Sequence, residues 1–182
     1  MQYADNEITF KEAKKVLENG ITLTNSAVTG VLEITAGSEW NKEITIENCI
    51  IENFSCIMVQ FYKSIIIRNC HLKNASFNFS YFLGGLTIEN CVFDEYLDFE
   101  AGGHNSLGNI ILIKENRFRG FVNFFDCWFT GEISIYNNTF ENGTNILSKE
   151  QLVSFDIPVL IENNVGDLGI ESESRENNGN FQ

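Results

Sequence analysis

The chain has 182 residues, 43% of them hydrophobic, with 16 Phe and a single Pro. That length sets one domain as the expectation, and the apolar share supplies its core. Twelve basic residues stand against 25 acidic ones, a formal net charge of −13. This excludes direct nucleic-acid binding and attraction to an anionic membrane from the expected functions.

The N-terminus, MQYADNEITF, has no basic region followed by an apolar one, so it does not read as a signal peptide. No stretch approaches the ~18 apolar residues of a membrane span. The Cys count is five, an odd number, which suits a reducing compartment. The expected location is cytoplasmic if this is the full chain, and extracellular if a precursor was trimmed.

Residues 1–20 form an N-terminal segment with one helix. In TFKEAKKVLENG, Thr9 is the N-cap and Glu12, three residues on, completes a capping box. Phe10, Ala13, Val16 and Leu17 make one apolar face, and Gly20 is the C-terminal stop. Such a helix is expected to lie as a lid over the first coil of a solenoid, because solenoid ends need caps.

Residues 21–170 repeat. Apolar-x-apolar-x-Asn recurs at ITLTN, ITIEN, IIIRN, LTIEN, ILIKE, ISIYN and VLIEN, starting at Ile21, Ile44, Ile65, Leu86, Ile111, Ile133 and Val159. The first and third positions are always Ile, Leu or Val and read as a core stripe. The fifth is Asn in six of the seven repeats. Asn tolerates a left-handed backbone and suits a recurring corner. The sixth position reads Ser26, Cys49, Cys70, Cys91, Asn116, Asn138, Asn164. Cys49, Cys70 and Cys91 are a stacked structural column, since a column does not make a tetrahedral metal site. The fourth position, Glu47, Arg68, Glu89, Lys114, alternates in sign and reads as a surface ladder.

A second strand comes about eleven residues after each start, in VLEI, FSCIMV, ASFNF, YLDF and FVNF. Short strands at this period, with no intervening helix, make a parallel solenoid, coil on coil at about 4.8 Å. Two excursions, 101–110 and 144–158, interrupt it. Residues 171–182, largely polar, form a tail. With no second helix to cover the last coil, its edge is a candidate for oligomer contact.

The I-x-I-x-N-[CN]-x-[LF] pattern of Leu86–Phe93 and its sister repeats resembles the right-handed parallel β-helix of the pectin-lyase-like superfamily. The middle of the chain is similar to pentapeptide-repeat solenoids as well. There Ile113, Phe118, Phe124, Phe129, Ile135 and Phe140 step by fives and sixes. The resemblance implies an all-β, single-stranded right-handed β-helix of about seven coils. Enzymes of that superfamily work on the outer face of the helix, where loops form a cleft. This makes Asp94, Asp98, Glu100 and His104 the weak catalytic candidates, and paired carboxylates are the reason. Neither the Arg-and-calcium-acid set of the lyases nor the Asp-rich motifs of the hydrolases is matched. No metal or other cofactor is expected.

Aromatic residues in outward or corner slots are the binding candidates: Tyr96, Phe121, Phe125, Trp128 and Tyr136. The expected function is a non-catalytic interaction module with a flat acidic-aromatic lateral face, for a protein partner first. A carbohydrate-binding or carbohydrate-active protein is the alternative, and an edge-to-edge assembling element is the third.

Overall fold

The computed structural model describes residues 6–34 and 39–171. It is a right-handed parallel β-solenoid of about seven turns, with one short helix near the N-terminus.

Three lateral faces run along it. The first is a seven-stranded parallel sheet of Leu23–Thr24, Ile44–Glu47, Ile65–Arg68, Leu86–Glu89, Ile111–Lys114, Ile133–Tyr136 and Leu160–Glu162. These are the seven repeats, paired position for position: Ile44 faces Ile65, Ile65 faces Leu86, and Leu86 faces Ile111. The second face is a nine-stranded sheet that includes Ser26–Ile34, Ile50–Cys56 and His71–Ser76. The third is narrow. Short strands Glu39–Trp40 with Gln60–Phe61, and Trp128–Phe129 with Ser154–Phe155, are linked by bridges through Tyr81 and Gly103.

The corner between the first and second faces explains the fifth position. Asn25, Asn48, Asn69, Asn90, Asn137 and Asn163 all have φ near +50°, and so does Glu115 at φ 59. Each corner N–H from Asn25 to Asn137 donates to a carbonyl on the next coil, as Asn90 does to Lys114 O. The side chains that point inward from this corner belong to the sixth position. Asn116 Oδ1 accepts from Cys91 N–H at 2.9 Å, and Asn138 Oδ1 accepts from Asn116 N–H at 3.0 Å. Asn116 Nδ2 donates back to Ile88 O at 2.9 Å. The thiols do the same work more weakly: Cys91 Sγ faces Cys70 N–H at 3.4 Å and Ile67 O at 3.6 Å. The interior ladder is thus polar, and it satisfies backbone groups that turn into the core.

Inward positions come in pairs two apart on each side of a coil. In the fifth coil they are Ile111 and Ile113, Asn116 and Phe118, Val122 and Phe124, Cys127 and Phe129, all buried. This produces the five- and six-residue steps. Rings then stack between coils: Phe93 on Phe118 at 5.2 Å, Phe118 on Phe140 at 4.9 Å, and Phe99 on Phe124 at 5.0 Å.

The N-terminal end differs from the sequence expectation in two ways. Strand β1 (Asn6–Thr9) precedes the helix and pairs with Ser26–Thr29, adding a partial coil. Helix α1 (Phe10–Glu18) then covers the end with Ala13 and Leu17 buried and the capping box formed. Phe10, expected on the buried face, lies at the edge over Gly30, where a bulge breaks the register between Val28 and Val31. Ile21 was expected in the core stripe and is 58% exposed. Its N–H bonds Val16 O and that of Gly20 bonds Leu17 O, a Schellman closure of α1. Closing the helix takes Ile21 out of the strand, which starts at Leu23.

The second-strand expectation also needs correction. FSCIMV and ASFNF do not run as strands to their ends, because the strands stop at Cys56 and Ser76. Met58 and Phe79 are left-handed, at φ 55 and 56, and turn the corner between the second and third faces. Behind them Val59 and Ser80 point inward. Ser80 accepts from Val59 N–H and donates to Cys56 O, so this corner has its own inner ladder. Cys127 joins it through Phe99 O at 3.0 Å. All five thiols are free and buried. The tail at 172–182 lies outside the described residues.

Candidate functional site

The four catalytic candidates share one coil but not one site. Asp94 lies on the second face between His71 and Arg119. His71 Nε2 is 2.6 Å from Oδ2, and Arg119 Nη1 is 2.6 Å from Oδ1. Asp98 stands further along the same face and accepts from Asn78 Nδ2 at 2.7 Å, Asn123 Nδ2 at 2.9 Å and the Glu100 N–H at 3.0 Å. Both carboxylates are therefore tied into ladders between coils. Glu100 occupies the next outward slot, and its backbone carbonyl accepts from Phe79 N–H.

His104 belongs to the third face, away from the acids. Its ring lies between Tyr81 at 4.2 Å and Trp128 at 5.3 Å. Burial in this stack holds the imidazole below its ordinary pKa, against the pull of nearby Asp126. His104 lies within the 101–110 segment, whose residues 106–110 are exposed. Asn105 is buried and fastens it, donating to Asn109 O and Glu132 O and accepting from Gly131 N–H. Similarly, at the start of the 144–158 segment, Asn145 is buried and accepts from Phe124 N–H at 2.6 Å. Among the described residues no group of three or more His, Cys, Asp or Glu is placed to hold a metal ion.

The five aromatic candidates are divided among three faces. Tyr136 is on the first, in the outward row after Lys114. Tyr96 and Phe121 stack on each other at 6.0 Å, next to strands of the second. Phe125 is half-buried near the second corner. Trp128 is on the third, 47% exposed, with Nε1 donating to Asp156 Oδ1 at 2.8 Å.

The structure adds two residues that the sequence pattern had placed within strands. Met58 and Phe79 are 52% and 50% exposed, one coil apart on the second corner. Phe79 precedes Tyr81, the first ring of the aromatic stack, by two residues, and Tyr81, Gly103 and Trp128 follow one another from coil to coil on the third face. Bulky apolar residues are rare at positive φ, because the side chain crowds its own carbonyl. Two consecutive ones, both solvent-facing, gain nothing from the core for that cost. The 21-residue spacing of Met58 and Phe79, each just before an inward residue, was the available signal.

The first face offers a contrast. Its outward row, Glu47, Arg68, Glu89, Lys114, is a closed charge ladder. Arg68 lies 3.0 Å from Glu89 and 3.8 Å from Glu47, and Lys114 lies 2.7 Å from Glu89. Lys114 and then Arg68 hold the Glu89 carboxyl below its usual range.

Comparison with known proteins found no matching family model, no matching curated protein and no matching solved structure.

Proposed function

We propose that this protein is a non-catalytic binding module that takes a protein partner on its second corner and third face. The observation that carries the reading is the exposed ridge of Met58 and Phe79 beside the Tyr81–His104–Trp128 stack. Exposed aromatic and Met side chains on a rigid support are what interface centres are made of. The solenoid supplies the rigidity, since each corner is pinned by bonds to the next coil. Asp126 and Asp156 stand beside His104 and Trp128 at the other end of the stack, on a chain of net charge −13, which favours a partner with basic residues around an apolar centre. The absorption of Asp94 and Asp98 into ladders leaves little for the catalytic alternative. The β-helix pattern remains compatible with a pectin-lyase-like origin, a proposal about ancestry that carries no activity with it.

The test is affinity capture from the source cell with the wild type and with Trp128→Ala. The variant is expected to lose the captured partner while its melting temperature moves little, because Trp128 is half exposed. Retention of the partner, or a large fall in melting temperature, contradicts the reading.

A further inference from the structure

We propose that the second corner holds a site for one arginine side chain of the partner, in the gap over Ala101 between Phe79 and Asp126. The proposal rests on the reading of the ridge and stack as a protein interface, and it names what that interface grips. Met58, Phe79, Ala101, Asp126 and Leu152 form one column along the corner. All five are left-handed, with φ between 51 and 58. The N–H of each of the first four donates to a carbonyl on the coil that follows. The neighbouring column, on the third face, is Gln60, Tyr81, Gly103, Trp128 and Ser154.

One coil is low in both columns. Phe79 and Tyr81 stand on the coil before it and Asp126 and Trp128 on the coil after, while Ala101 and Gly103 offer a methyl and a hydrogen. Gly103 has no room for more, since a Cβ there would come 2.6 Å from Trp128 O. On the third face the ring of His104 takes up the space between Tyr81 and Trp128. In the corner column only the half-buried Ala101 separates Phe79, 50% exposed, from Asp126, which is exposed too. Two coil steps are about 9.6 Å. That admits one head group in van der Waals contact with the ring, at about 3.5–4 Å, and hydrogen-bonded to the carboxylate, at about 2.8 Å.

The two walls of the gap ask for different properties of one occupant. An exposed Phe ring attracts a cation over its face, and a carboxylate takes charge-assisted hydrogen bonds. Arginine meets both with a single planar group. It stacks on rings and is more weakly hydrated than an ammonium, which ranks it above lysine. The carboxylates here are also open to a cation from outside. Among the described residues none is paired with Asp126, or with Asp156, which accepts from Trp128 Nε1 at 2.8 Å. On the first and second faces, by contrast, Glu89, Asp94 and Glu141 each have one. His104 feels the charge of Asp126 and adds no like charge to the site, because burial holds its imidazole neutral at pH 7. The net charge of −13 draws a basic segment towards the gap.

The experiment is NMR titration of the intact protein with the capped tripeptide Leu-Arg-Leu and its lysine and citrulline counterparts, at millimolar concentration. The arginine peptide is expected to give saturable shifts at the amides of residues 79, 101 and 126 and at the Trp128 indole N–H. The lysine peptide is expected to bind several-fold more weakly, and citrulline, which keeps the shape without the charge, at least tenfold more weakly. Asp126→Asn, a residue that suits the left-handed corner, is expected to weaken the arginine peptide about tenfold, the loss of a hydrogen bond between charged groups. Ala101→Leu fills the gap with every charge in place and serves as the second variant; amide spectra check that both fold. No saturable shift with the arginine peptide overturns the proposal. So does equal binding of the lysine or citrulline peptide, or undiminished binding by the variants. A partner captured from the source cell that Trp128→Ala loses and Asp126→Asn keeps overturns the arginine site and leaves the interface reading standing. Capture of no partner by the wild type overturns the interface reading, and the proposal with it.

Discussion

Glu115 shows what the corner asks of a residue. Its six counterparts are Asn, and all seven share the left-handed backbone, with Glu115 at φ 59. Asn tolerates that conformation because its short polar side chain relieves it locally, and Glu does not. Glu115→Asn is therefore expected to stabilise the fold by about 0.5–1 kcal/mol, read as a raised denaturation midpoint. An unchanged or lowered midpoint would show that the corner sets no such preference. The same scale governs His104. Its imidazole is held neutral by burial between Tyr81 and Trp128, below the ordinary value of 6.5. The unfolded chain thus takes up the proton first as pH falls, so unfolding gains relative to folding. The contribution is whole above pH 6.5 and is lost as pH drops from there towards the lowered folded pKa. Trp128 fluorescence followed with pH is expected to report the weakening there in the wild type and not in His104→Phe.

At the scale of elements, the coil was legible from its period. Asn48, Asn69 and Asn90 mark the first corner because one backbone geometry recurs in register. Cys49, Cys70 and Cys91, then Asn116 and Asn138, mark the inner ladder, where a thiol and an amide fill the same place. Strand β1 was not legible. Asn6–Thr9 has no apolar alternation and pairs through its backbone with Ser26–Thr29. Ile21 fitted the repeat but is claimed by the closure of α1, a choice made by helix geometry rather than by side-chain pattern. Met58 and Phe79 were absorbed into the second strands because they are apolar and lie close behind buried residues. Their half exposure, with the left-handed φ that turns the corner at each, shows that they face outward. Where the register was read, it has a direct consequence. Phe118 is 1% exposed between Phe93 and Phe140, so removing its ring opens a gap in a column of three. Phe118→Ala is expected to cost about 3–5 kcal/mol in urea denaturation. A shift under about 1 kcal/mol would mean that the neighbouring coils close over the space.

For the molecule as a whole, the solenoid separates tasks by face. The first face is closed by ion pairs from Glu47 to Lys114, and the interior by ladders and ring stacks. The second corner and third face remain, with apolar groups facing water on a rigid edge. The acidic stretch around Asp94 is legible in the sequence as a cluster, yet folding spreads it. Asp94 and Asp98 enter inter-coil ladders while His104 moves to another face. The aromatic candidates divide in the same way, so they form separate groups rather than one wall, and the proposed interface takes in Trp128 and the Met58–Phe79 ridge. The measurement that tests this most directly is photo-crosslinking in the source cell, with a crosslinking amino acid placed at Phe79 and, as a control, at Thr87 on the first face. A discrete crosslinked protein partner is expected from position 79 and none from position 87. Equal products from both positions, or none from position 79, would contradict a partner site on the ridge.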